Sequence, residues 1–219
     1  PKGDGPRGQL TRRAMFISFE GIDGSGKSTQ ARLLADTLRA LGHDVVLTRE
    51  PGGSPGAEDI RRLVLEGDPD RWSPETEILL FTAARRDHLE RLIAPAIAAD
   101  RIVITDRFAD STRVYQGLTR GDLSTKVDSL HDLMIGRDPD LTFLIDIDPV
   151  AGLARARGRK GHEERFEDFG EALQARARAG FLALAQAAPA RFRVIDGSGS
   201  PDAIAADIAA FTRAALAAA

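Results

Sequence analysis

The sequence predicts an α/β fold in three layers: a five-stranded, mostly parallel sheet with helices on both faces. Three observations predict it. Short apolar runs alternate with segments of helical periodicity along the whole chain. That strand–helix order is the order of parallel sheets covered by their crossover helices. No internal repeat and no long linker interrupts the 219 residues, 42% of them hydrophobic, so residues 15–219 read as one domain.

The elements follow in order. Residues 1–14 are rich in Gly, Pro and Arg, lack the apolar core of a signal peptide, and read as an unstructured leader or a non-native extension; the first Met is Met15. Residues 15–20 are a buried strand. Residues 27–41 carry Ala31, Leu34, Ala35, Leu38 and Leu41 at helical spacing and stop at Gly42. Residues 45–47 form a second strand and 57–65 a short helix. Residues 74–99 read as one long helix, bent where Pro95 removes a backbone donor. Residues 102–105 are a third strand, and 110–136 two helices broken between Gly117 and Asp122. Residues 141–145 are a fourth strand, 150–157 a helix, 158–164 a charged loop and 169–187 a helix. Residues 191–195 make the fifth strand and 201–216 the closing helix.

Composition excludes several functions. With 30 basic and 33 acidic residues the net charge is −3, which argues against bulk nucleic acid or an anionic membrane as the main partner. There is no Cys, so no disulfide, thiolate metal site or thiol nucleophile exists. His43, His88, His131 and His162 lack close metal-ligand spacing and read as structural or exposed. No apolar run approaches the ~20 residues of a membrane span. The cytosol is the expected compartment.

One motif carries the chemistry. Gly21-Ile22-Asp23-Gly24-Ser25-Gly26-Lys27-Ser28 matches GxxxxGK[ST] between a strand and a helix, with Thr29 following. Glycines let successive backbone N–H groups converge on phosphate oxygens, and the helix N-terminus adds positive potential. Lys27 is expected on the β- and γ-phosphates, and the Ser28 hydroxyl on Mg²⁺. The expected fold is therefore of the P-loop NTPase type. The chain has no Asn, which removes the Asn-Lys-x-Asp guanine reader, and it is short for a motor or ring ATPase. A small kinase is the leading class.

Three clusters sit where an acceptor site is needed. Thr48, Arg49, Glu50, Pro51, Gly52 and Gly53 follow the second strand. Asp106, Arg107, Phe108, Ala109, Asp110, Ser111 and Thr112 follow the third, beyond carboxyl ends where open α/β sheets bind ligands. Phe81 and Arg85, four apart on the long helix, share a face. A ring beside an arginine suits a nucleoside monophosphate. Taken singly, each cluster also has an ordinary structural reading as turn, core or ion pair.

Together, the phosphate loop with Asp23, the Arg49–Gly53 segment, the Phe81/Arg85 pair, and Asp106-Arg107 followed by Ser111, Thr112, Tyr115, Gln116 and Gly117 resemble the thymidylate kinase family, from about Phe16 to the last helix. The resemblance implies ATP and dTMP as substrates, Mg²⁺ with the ATP, and a homodimer packed through helices that include the Phe81 helix. It implies that Phe81 stacks on thymine, that Arg85 hydrogen-bonds the pyrimidine edge or helps orient the phosphate, and that Thr112 and Gln116 meet the base edge. Arg61 and Arg107 would hold the acceptor phosphate, with Ser111 beside them. Tyr115 would crowd the sugar 2′ position, and Glu50 and Pro51 would line the pocket. Asp23 would orient the acceptor near its 3′-hydroxyl and the transferring group, and Asp106 would help hold Mg²⁺.

Arg155, Arg157, Arg159, Lys160 and Arg165 populate a small lid at about residues 155–167. Some family members carry Arg in the phosphate loop and others in the lid; Gly24 and these arginines resemble the second, bacterial-type pattern. Arg155, Arg159 and Arg165 are the catalytic candidates there, and which one meets the transferred group is open. Because the acceptor phosphate is already an anion, positioning and charge neutralisation suffice without a strong general base. Two alternatives stand beside this reading: another small-molecule kinase, acting on UMP/CMP, a deoxynucleoside or shikimate, and a nucleotide-binding switch that transfers nothing.

Overall fold

A computed structural model describes residues 14–68, 71–119, 121–157 and 170–218, without the side chain of Arg157. Five strands form one all-parallel sheet in the order β2-β3-β1-β4-β5, with β1 Met15–Glu20, β2 Val45–Arg49, β3 Ile102–Asp106, β4 Leu141–Asp146 and β5 Phe192–Asp196. The helices are α1 Lys27–Ala40, α2 Pro55–Leu65, α3 Pro74–His88, α4 Ala94–Ala98, α5 Ala109–Thr112, α6 Ser124–Met134, α7 Pro149–Arg157, α8 Glu171–Ala187 and α9 Pro201–Ala218. None of the described helices is long and apolar enough to cross a membrane.

The three layers follow from strand alternation. On β1, Met15, Ile17 and Phe19 join the core beneath α1 and α9, while Phe16 faces the opposite core with Leu89, Ile93, Val103 and Phe108. On β3, Ile102 and Ile104 face the first core and Val103 the second. A third cluster gathers Ile22, Val114, Leu144 and Phe181. Successive strand residues point to opposite faces, so a central strand covered on both sides is largely apolar, with Ser18 and Glu20 the polar exceptions on β1. All six residues of β1 are buried. Each large apolar side chain so enclosed contributes roughly 1.5–3 kcal/mol.

Several boundaries differ from the sequence expectation. Strand β2 runs to Arg49, because Thr48 and Arg49 pair with Thr105 and Asp106 of β3. Thr48 and Arg49 are thus strand residues, not the start of a loop. The long helix is interrupted by a π-helical turn at Leu89–Ile93, one turn before Pro95. Pro95 cannot donate and its ring crowds the carbonyl one turn back, and the wider turn is how the helix accommodates both. A second π-helical turn, Arg113–Leu118, follows α5. Where two regular helices were expected, this turn re-aims Tyr115 and Gln116. The leader and most of the lid lie outside the described residues.

Candidate active site

The phosphate loop leaves β1 and enters α1 at Gly26, whose backbone is left-handed (φ 100°). Gly24 is glycine for a packing reason. A Cβ there would lie 1.9 Å from the Gly152 carbonyl oxygen, because α7 sits directly on the loop. No side chain fits at this position, which excludes the loop-arginine arrangement in this chain. Ile22 and Ser25 are buried in the loop, Gly21 is buried beneath it, and Thr29 is half-buried in the first turn of α1.

The loop opens on a cavity of about 360 Å³. Asp23, Gly24, Lys27 and Ser28 line one end of it. Glu50, Pro51, Arg61, Phe81, Arg85, Asp106, Arg107, Ser111, Thr112, Tyr115 and Gln116 line the rest. Residues from the phosphate loop, α1, β2 and the turn after it, α2, α3, β3 and the segment after it therefore converge, although Asp23 and Gln116 lie almost a hundred positions apart in sequence. Phe108, part of the cluster expected after the third strand, also lines the cavity, although no role was assigned to it from the sequence.

Arg107 is the hub. Its Nη2 donates to Asp23 Oδ1 at 2.5 Å, and its Nη1 donates to Ser111 Oγ at 2.9 Å and to the Gly21 carbonyl at 3.3 Å. Its plane lies 5.2 Å from the Tyr115 ring centroid. The residue is left-handed (φ 69°), a conformation that costs an L residue roughly 1–2 kcal/mol. Its N–H donates to the Phe19 carbonyl at 2.9 Å, and its own carbonyl accepts from Thr105 Oγ1 at 2.8 Å. Burial works against the guanidinium charge, but Tyr115, Asp23, Asp106 and Glu20 outweigh it and hold Arg107 protonated.

The loop charges are shaped by the same enclosure. Burial pushes the Lys27 ammonium down to about 8, helped by the Arg107 charge and resisted by Asp23, Asp106 and Glu20. Burial alone would raise Asp23, yet Arg107 and Lys27 hold its carboxyl below the ordinary range. Gln174 of α8 completes the setting: its amide nitrogen donates to Asp23 Oδ2 at 3.1 Å, and its oxygen accepts the Asp23 N–H at 3.3 Å. Sequence reasoning missed Gln174, since nothing local marks a glutamine 151 positions away as a partner of the loop.

Glu20 was also missed. It ends β1, is fully buried, and accepts from the Phe108 N–H at 2.8 Å and from Ser111 Oγ at 2.6 Å. Its signal was visible: an acid closing an apolar strand beside a phosphate loop. Burial, then the Asp110 charge, push it from an ordinary 4.5 up to about 7. A carboxyl with a raised folded-state value favours the folded protein most below about 4.5 and loses that contribution as pH rises through about 7. Between pH 5 and 8, wild type should therefore lose stability relative to Glu20→Gln, at no more than about 1.4 kcal/mol per pH unit for this one group. Urea midpoints across that range measure it; parallel curves for the two proteins would show that Glu20 does not titrate there.

The Ser28 and Asp106 oxygens are of the kind that suits a hard divalent cation. Ser28 Oγ donates to Asp106 Oδ2, while Asp106 Oδ1 is buried without a hydrogen-bond partner. No cluster of three or more His, Cys, Asp or Glu able to hold a metal occurs among the described residues. One hydroxyl and one carboxylate fit Mg²⁺, which is commonly held by few protein oxygens together with water and phosphate.

Arg155 lies elsewhere. It is exposed on α7 and its Nη1 donates to the Gly197 carbonyl, after β5, at 3.0 Å; Ala156, not Arg155, lines the cavity. Arg159 and Arg165 are outside the described residues.

The family model described as Thymidylate kinase matches residues 19–208. The chain is 75% identical over 199 residues to the thymidylate kinase of Ruegeria pomeroyi, covering 91% of this chain and 94% of that protein. It is 68% identical over 201 residues to that of Dinoroseobacter shibae, covering 92% and 97%. The crystal structure of thymidylate kinase from Ehrlichia chaffeensis superimposes with a TM-score of 0.75 at 36% identity, covering 92% of this chain and 99% of that one. With a matching family model over most of its length and relatives this similar, the chain belongs to the thymidylate kinase family.

Proposed function

We propose that this enzyme transfers the γ-phosphoryl group of ATP, bound with Mg²⁺, to the phosphate of dTMP. The observation that carries the substrate is the hydrogen-bonding pattern at the far end of the cavity. Arg85 commits Nε to Glu50 Oε2 at 2.7 Å, and Nη2 to the Phe108 carbonyl at 3.2 Å and Thr112 Oγ1 at 3.0 Å. Nη1 is left to donate into the cavity. Gln116 commits its amide nitrogen to Glu77 Oε2 at 3.3 Å, which turns its oxygen outward as an acceptor. A donor beside an acceptor matches thymine, whose O4 accepts and whose N3–H donates. Cytosine carries an amino group at that position and inverts the pattern. Phe81, half-buried on the same wall, offers a ring for stacking.

At the other end, Arg107 and Arg61 are placed for the acceptor phosphate; Arg61 Nη1 also donates to the Pro51 carbonyl at 2.5 Å. Lys27 and the N-terminus of α1 are placed for the donor phosphates. Asp23, fixed between Arg107 and Gln174, lies where the two substrates meet. Tyr115, packed edge-on to Phe181 at 6.0 Å, is placed to crowd a 2′-hydroxyl. Ser28 and Asp106 would hold Mg²⁺, which neutralises phosphate charge when bound. Arg155, Arg159 and Arg165 remain the lid candidates, with Arg155 needing to leave Gly197 to take part. We take the enzyme to act in the cytosol as a homodimer, on the strength of the family relation; exposed Leu79 and Leu133 on α3 and α6 are available surfaces for it.

A coupled ADP-release assay over a panel of acceptors tests the proposal. dTMP should exceed dCMP, UMP and thymidine by at least about a hundredfold in kcat/KM, the scale set by unpaired polar groups in a buried site. Equal use of dCMP, or release of ADP without any acceptor, would overturn it.

A further inference from the structure

His88 is wholly buried, yet nothing in the transfer reaction calls for an imidazole. It closes α3, three residues after Arg85 and on the same face. Its Nδ1 lies 3.0 Å from Glu50 Oε1 and its Nε2 lies 2.8 Å from Thr48 Oγ1. A carboxylate only accepts, so Nδ1–H donates to Glu50; in the neutral ring Nε2 then accepts from the Thr48 hydroxyl. The other Glu50 oxygen accepts from Arg85 Nε. Thr48, His88, Glu50 and Arg85 thus form one continuous chain, half-buried at Thr48 and buried from His88 onward, from the end of β2 to the base end of the cavity.

The chain has no slack. A Cβ on Gly53 would lie 2.4 Å from both His88 Nε2 and Thr48 Oγ1, so the Glu50–Gly53 segment is wrapped directly against the imidazole. The side chains of Glu50, Arg85 and His88 are all almost fully enclosed. A buried carboxylate that loses the donor on one oxygen must find another. Arg85, already bonded to the other oxygen, can supply it, and a two-point pairing of Glu50 with the guanidinium edge would rotate it away from Phe108 and Thr112.

We propose that His88 is a positioning residue for acceptor recognition: by holding Glu50, it fixes the Arg85 guanidinium with Nη1 presented to the pyrimidine edge, and so sets the preference among bases. The inference rests on the dTMP reading above. His88 does not line the cavity.

Two polar variants separate its two hydrogen bonds. His88→Asn places an amide nitrogen near Nδ1 and keeps the donor to Glu50. His88→Gln places its amide near Nε2, keeps the Thr48 side and loses Glu50. The ratio of kcat/KM for dTMP over dCMP is measured for both and for wild type, with kcat, the ATP KM and the melting temperature. In His88→Gln the ratio should fall about tenfold, mainly through a raised dTMP KM, with kcat and ATP KM within about twofold of wild type. His88→Asn should keep the wild-type ratio whatever it loses in melting temperature. If both variants lose selectivity equally, or both keep it, the positioning role is wrong. A wild-type enzyme with no preference for dTMP would instead defeat the substrate reading, and the first comparison shows which has failed.

Discussion

Replacing Lys27 with alanine should leave a folded protein whose turnover is lower by at least about a thousandfold, the scale of losing a preorganised cationic donor in an enclosed phosphoryl-transfer site. Lys27 lies at the base of the cavity, and its Nζ donates to the Ile22 carbonyl at 2.9 Å within its own loop. It packs between Asp23, Asp106 and Arg107, where burial already disfavours its charge. Removing it takes away a cation that is costly to enclose, so the melting temperature should move little. The catalytic loss has no such offset, because no other described side chain of the loop is cationic. Steady-state kcat with saturating ATP and dTMP, beside a thermal melt, reads both. A folded Lys27→Ala protein with normal kcat would remove the loop from the reaction.

The second large effect is expected at Arg107. Alanine there should reduce kcat/KM for dTMP by about 10²–10³ while ATP affinity changes by no more than about threefold. The asymmetry comes from the hydrogen bonds. Arg107 spans Asp23, Ser111 and the Gly21 carbonyl, and its remaining donor surface faces the acceptor half of the cavity. Lysine should rescue only part of the activity, since a point charge cannot reproduce a fork that meets three oxygens at once. Titration of each substrate against the variant, followed by kinetics, separates the two halves. An unchanged dTMP KM and kcat would take Arg107 out of the site; equal loss for both substrates would make it a general scaffold.

The site was legible where chemistry is local. The phosphate loop needs glycines, a lysine and a hydroxyl at fixed spacing, so residues 21–28 announce themselves. Phe81 and Arg85 were legible because helical spacing puts them on one face, and both line the cavity. His88 carried the same signal, three positions on, but a lone histidine reads as core until its partners are seen. Gln174 carried none. The π-helical turn at Arg113–Leu118 was also invisible: its residues have ordinary helical composition, and packing against α6 and α8 selects the wider turn.

What the amino-acid order determined by itself was the alternation of strands and helices, the phosphate loop, and the kinds of residue gathered after each strand. These depend on periodicity and on backbone requirements that act within a few residues. The tertiary structure alone decided that Asp23 is shared by Arg107 and Gln174, and that Glu20 holds its proton to about 7. It also decided that Gly24 must be bare beneath α7, that Arg155 rests on Gly197, and that His88 backs Glu50. Each of these depends on exclusion of water and on distances between segments far apart in the chain, and short-range sequence patterns do not encode either.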